Sequence, residues 1–154
     1  MRYSATVDSS AALAGNTTFA NLAAGASQGL ILRRIIVGVR AGASTPTSQQ
    51  MTLAVYRATA RGTVTTTVTP VKLDNDRVAS QITGLDTVWS VAPTLAATPM
   101  FTVSFNTQSG ADLPFEGLEE VRVGAGSANG LAFYNVTNAL PASHLYTLTV
   151  EWEE

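Results

Sequence analysis

The residues with reactive side chains are few and scattered. The chain has one histidine, His144, and no cysteine, so acyl transfer with an activated nucleophile would have to be built around that single imidazole. Such chemistry needs a serine beside the base and a third group to orient it. Ser143 precedes His144, but no G-x-S-x-G elbow occurs anywhere, and His144 reads as a surface or capping histidine where the last strand begins. Asp74, Asn75 and Asp76 place two carboxylates two residues apart, as a calcium loop does, yet lack its glycine and closing glutamate; they read as a turn. Glu116, Glu119 and Glu120 form an acidic cluster of the kind that divides acid and base roles in glycoside hydrolysis. No sugar-subsite residues accompany them, so they read as a solvated face. The glycine-rich GAGSANG at 124–130 has neither the phosphate-cradle spacing nor a following lysine, and strands flank it; it reads as a hairpin loop. The sequons at Asn16 and Asn135 carry no weight without a secretory signal. The expectation is therefore no catalytic residue, no cofactor, no metal and no enzyme.

The elements that would position any site are strands. Tyr3, Ala5 and Val7 alternate with polar neighbours at the start of the chain, and Tyr146, Leu148, Val150 and Trp152 alternate with Thr147, Thr149 and Glu151 at its end. Between them lie strand candidates at 16–22, 30–40, 50–57, 63–69, 100–106, 118–123 and 130–136. Turn formers at 41–48, 108–114, 124–130 and 138–143 punctuate them. About eight or nine strands at this spacing predict an all-β fold, a single-domain antiparallel β-sandwich of jelly-roll type spanning residues 1–154. Residues 74–99, with Trp89, resist assignment beyond one short strand or helix.

Composition narrows the class of function. Of the 154 residues only 13% are charged, about half the usual share, and the net charge is −2. That balance gives nucleic-acid phosphates little to approach. The opening residues lack the apolar core of a signal peptide, and no apolar run approaches a membrane span, so a soluble chain made in the cytoplasm without membrane contact is expected. Residues 9–73 contain no acid, only Arg33, Arg34, Arg40, Arg57, Arg61 and Lys72, whereas acids predominate afterwards. The two halves can meet within one fold or between neighbouring copies.

Two features are candidate protein contacts. RGTVTTTVTP at 61–70 holds five threonines. With the period of a strand, Thr63, Thr65, Thr67 and Thr69 share one face, an outer strand whose hydroxyls and methyls cost little to cover. The second feature is Arg33 and Arg34, adjacent in an apolar strand. Strand parity sends them to opposite faces, Arg33 with Ile31, Ile35, Val37 and Val39, and Arg34 with Leu32 and Ile36. A bare buried guanidinium is costly, so the pair belongs at a wet rim or in an intersubunit ion pair.

RRIIVGVRAGASTPTSQQMTLAVYR at 33–57, FNTQSGADLPFE at 105–116 and ALPASHLYTLTVEWEE at 139–154 resemble small structural proteins of tailed bacteriophages. The composition is similar to that of β-sandwich capsid decoration, or cement, proteins. The resemblance implies a virion protein on the capsid exterior that binds the major capsid protein and copies of itself, as a homotrimer, and stabilises the head. It transfers no site residue. A tail or neck component, such as a tube or adaptor ring, is one competing reading. A receptor- or carbohydrate-binding module using Trp89, Phe133 and Tyr134 is another.

Overall fold

The computed structural model describes the chain from Met1 to Glu154, the side chain of Leu118 excepted. Thirteen strands form two antiparallel sheets packed face to face. The first four are β1 (Arg2–Asp8), β2 (Thr17–Ala23), β3 (Leu30–Ala41) and β4 (Gln50–Ala60). Then come β5 (Thr63–Val68), β6 (Val71–Lys72), β7 (Leu85–Val91), β8 (Thr94–Leu95) and β9 (Phe101–Asn106). The last four are β10 (Ala111–Pro114), β11 (Val121–Val123), β12 (Gly130–Asn135) and β13 (His144–Glu153). Sheet A runs β6-β1-β13-β3, with β10 and β11 end to end along the outer edge of β3. Sheet B runs β5-β7-β2-β12-β4, with β8 and β9 sharing the outer edge of β4.

With β5, β6 and β7 set aside, sheet A is β1-β13-β3-β10/β11 and sheet B is β2-β12-β4-β8/β9. The first and last strands are neighbours, and with β8/β9 and β10/β11 each counted as one position the chain crosses between sheets at each step except from β4 to β8. This is the strand order of a jelly roll. The predicted fold class stands; the strand count exceeds the eight or nine expected. The additions are short β6, β8 and β10, together with β7 in the segment that resisted assignment.

Alternation sets the core. Tyr3 and Ala5 of β1, Leu30, Leu32, Ile35 and Val37 of β3, and Tyr146, Leu148, Val150 and Trp152 of β13 face Phe19 and Leu22 of β2, Met51, Leu53 and Val55 of β4, and Leu131 and Phe133 of β12. β13 lies between β1 and β3 from Thr147 to Glu153. Its four inward side chains are all buried, and the Trp152 ring stacks on Tyr3 with centroids 6.1 Å apart. Burial of that much apolar surface in the central strand of the sheet is a large share of the folding free energy.

Residues 61–93 form an insertion between β4 and β8. Its strands extend both sheets along one edge: β7 and β5 beyond β2 in sheet B, and β6 beyond β1 in sheet A. Only Arg61 and Gly62 join β4 to β5, yet four strand spacings separate those strands, about 19 Å in a flat sheet. Three peptide units reach at most about 11 Å. Sheet B is therefore coiled so that its outer face closes at this end. Asn21, Asp86 and Ala132, neighbours on that face, are fully buried.

Trp152→Ala is expected to cost about 3–5 kcal/mol, the usual toll of removing a large sealed aromatic side chain. Urea unfolding followed by far-ultraviolet circular dichroism measures it; a loss below 1 kcal/mol would show that β13 is not central.

Candidate contact surfaces

The two arginines of β3 point the same way. In the ladder with β13, Glu151 pairs with Arg34 and Trp152 with Leu32, so Arg33 is the extra residue of a β-bulge. The bulge resets the parity: Leu32 and Ile35 both face the core, and Arg33 and Arg34 both stand on the outer face of sheet A. The opposite-face expectation is thus corrected, because the bulge spares the core a guanidinium. Both side chains find acids within the chain. Arg33 donates to Glu153 at 2.9 Å through Nε and to Glu120 at 2.6 Å through Nη1, while Arg122 Nε also donates to Glu120. Arg34 holds Asp112 through two hydrogen bonds of 2.8 and 2.6 Å. Arg40 lies 4.0 Å from Asp8. The basic first half and the acidic second half meet inside one molecule, and the acids of this belt serve structure.

The ion pairs leave a titration signature. The hydrogen bond from Arg34 holds the Asp112 carboxyl below the usual carboxylate range, and those from Arg33 and Arg122 do the same for Glu120.

The threonine row is divided. β5 is the edge strand of sheet B, and its pairing with β7 slips three times between Thr63 and Thr67. The slips break the two-residue period. Thr63, Thr65 and Thr69 are exposed, whereas Thr67 is half-buried and its hydroxyl donates to Asp86 at 2.8 Å. Asp86 is fully buried and accepts two further bonds from Arg61, Nε and Nη2 each at 2.7 Å. This three-bond clamp ties the β4–β5 link to β7. Two glycines close the ends of the same ladder. Gly62, at φ +78°, sits so near the Val91 carbonyl that a Cβ would lie 2.2 Å from it, and Gly84, at φ +141°, stands likewise against the Val68 carbonyl.

The insertion is also where apolar surface escapes burial. Among the described residues, the five large apolar side chains at least 50% exposed are Val71, Leu73, Val78, Val88 and Val91, all within it. Sequence reading passed over these residues because an isolated exposed valine signals nothing until the fold gathers several.

The remaining candidates take structural places. His144 is fully buried rather than on the surface; its Nε2 lies 2.9 Å from the Thr47 carbonyl and its Nδ1 3.0 Å from Ser143 Oγ, pinning the 42–49 loop to β13. Asp74 binds Arg77 and the Asp76 amide, closing a turn. Phe133 lies in the core, Trp89 is half-buried, and Tyr134 stands on the outer face of sheet B against Tyr56.

No family model, no curated protein and no solved structure matches the chain.

Asp86→Asn, which strands the Arg61 charge, is expected to destabilise the protein by about 2–3 kcal/mol, and more local exchange of β5 and β7 amides than of β13 amides should accompany it. For pH the sign follows from the depressed carboxyls. Their ion pairs stabilise the fold at neutral pH, and that contribution is lost as pH falls through the ordinary carboxylate range, below about 4. The melting temperature should drop there, and drop less steeply in the Arg33→Gln/Arg34→Gln double variant. Parallel curves for the two proteins would contradict the assignment.

Proposed function

We propose that the protein is a structural protein of a phage virion, a capsid decoration or cement protein that binds the outer surface of the head and stabilises it. The observation that carries the reading is the gathering of exposed aliphatic side chains on one inserted edge of an otherwise well-sealed sandwich. Large apolar side chains left in water in such number mark a surface to be covered. Here it belongs to a segment clamped by Arg61 and Asp86, so little ordering entropy is lost on docking.

Low charge, the resemblance to small phage structural proteins and the jelly-roll topology support the same reading, although this fold hosts many functions and carries no weight alone. The partners are the major capsid protein and further copies of the chain, with a trimer the expected number. Binding strength then comes from several modest contacts repeated around a symmetry axis rather than from one pocket. Nucleic acid and membrane are not partners. A tail or neck ring would use the same brick, and a hexamer or filament in solution would favour that role.

Purified coat shells incubated with the protein should bind it and resist heat better. Leu73→Asp/Val78→Asp should reduce binding at least tenfold while leaving the melting temperature of the free protein within about 0.5 kcal/mol equivalent, since both side chains are exposed. Shells that gain neither bound protein nor thermal resistance would overturn the proposal.

A further inference from the structure

The outer face of sheet B away from the insertion has a chemistry of its own. The sequence contains four runs of sixteen or more residues without an acidic or basic residue, 9–32, 41–56, 87–111 and 123–150, His144 apart. Those runs supply β2, β9, β12 and the first seven residues of β4, which lie side by side in sheet B. The loops at 42–49, 92–99, 124–129 and 136–142 come from the same runs. Sheet A shows the reverse, with Arg2, Arg33, Arg34, Asp112, Glu151 and Glu153 on its outward face.

On the uncharged face, Tyr56 of β4 and Tyr134 of β12 meet edge to face, centroids 5.6 Å apart and planes at 70°. Their cross-strand partners are Ala132 and Ala54, both fully buried on this outward side. The alanines leave the two rings room on the sheet surface, where both remain partly exposed. On the same face, Thr102, Ser104, Asn106 and Gln50 extend away from them along β9 and β4, exposed and every one a neutral hydroxyl or amide. Their inward neighbours Met51, Leu53, Val103 and Phe105 pack in the core, which fixes the outward direction of the set.

We propose that this face binds a neutral oligosaccharide, the tyrosine pair packing against sugar rings and the surrounding hydroxyls and amides bonding to sugar hydroxyls. The absence of any acidic or basic side chain matches an uncharged ligand and offers nothing to uronate, sialate or phosphate groups. Extent decides against a second copy of the chain. Four strands of about six residues cover about 400 Å², half of the roughly 800 Å² per partner of a stable protein interface. Composition agrees: protein interfaces have an apolar centre, and the most exposed aliphatic side chains of this molecule lie on the insertion. A few aromatic rings amid convergent neutral polar groups are the ordinary makings of a small-ligand surface. The inference stands independently of the capsid reading.

The test is a chemical-shift titration of the full-length, isotope-labelled protein. The probes are linear hexasaccharides of glucose, mannose, galactose and N-acetylglucosamine, with a galacturonate hexasaccharide as acidic control. At least one neutral probe should give saturable shifts centred on Gln50, Tyr56, Thr102, Ser104 and Tyr134, and the acidic probe none. Tyr134→Ala should weaken that binding at least tenfold. Thr102→Arg, an exposed position that leaves the tyrosines in place, should do the same if the tyrosine variant fails to fold. The proposal is overturned if no neutral probe binds, if the shifts map elsewhere, if the acidic probe binds equally, or if sedimentation shows a dimer that hides both tyrosines.

Discussion

The structure depends on one strand. β13 is hydrogen-bonded on both sides, to β1 and to β3, and it brings the last residues of the chain against the first. Its inward side chains, Tyr146 to Trp152, form the middle of the core, so sheet A stays split and the core unfilled until the C-terminal residues arrive. The bulge opposite Glu151 follows from the same constraint. β3 must keep Leu32 and Ile35 inside while carrying two consecutive arginines, and an extra residue in the strand is the geometric solution. Once both guanidinium groups are outside, they collect the acids of the second half of the chain, and the outer face of sheet A becomes a closed ionic belt.

That closure shapes the rest of the surface. Charges paired within sheet A are not available to partners, and the strands of sheet B have almost none. What sheet B does carry is Arg57 near the end of β4 and the buried Asp86 of β7, whose pairing with Arg61 fastens the insertion. The molecule thus has three distinct exteriors: an ion-paired face, an uncharged face with two tyrosines, and an edge where aliphatic side chains meet water. Division of this kind suits the proposed building block, which would turn different sides to different neighbours and use the insertion for protein contact.

Much of this was legible in the chain. Alternation at both termini identified β1 and β13, and the turn-former clusters separated most strands correctly, because each of those strands has one buried face. Parity failed where strands are irregular. The bulge at Arg33 and the slips along β5 are cooperative adjustments between strands, and no local period announces them. β7 was hidden because Asp86 sits in its buried half, and the arginine that compensates it lies 25 residues earlier. Residues 108–114 read as a turn because Gly110 and Pro114 punctuate them, yet an edge strand tolerates a terminal proline, and β10 ends on it. The tyrosine pair needed the register of β12 on β4, which becomes visible only in three dimensions.

The most direct measurement of the proposed role is an electron-microscopy map of virions that contain this chain. Docking through the insertion predicts density for the sandwich on the outside of the head, with Val71, Leu73 and Val78 against coat subunits and Tyr56 and Tyr134 facing solvent. Density confined to the tail or neck, or a head-bound molecule whose insertion points away from the coat, would contradict it.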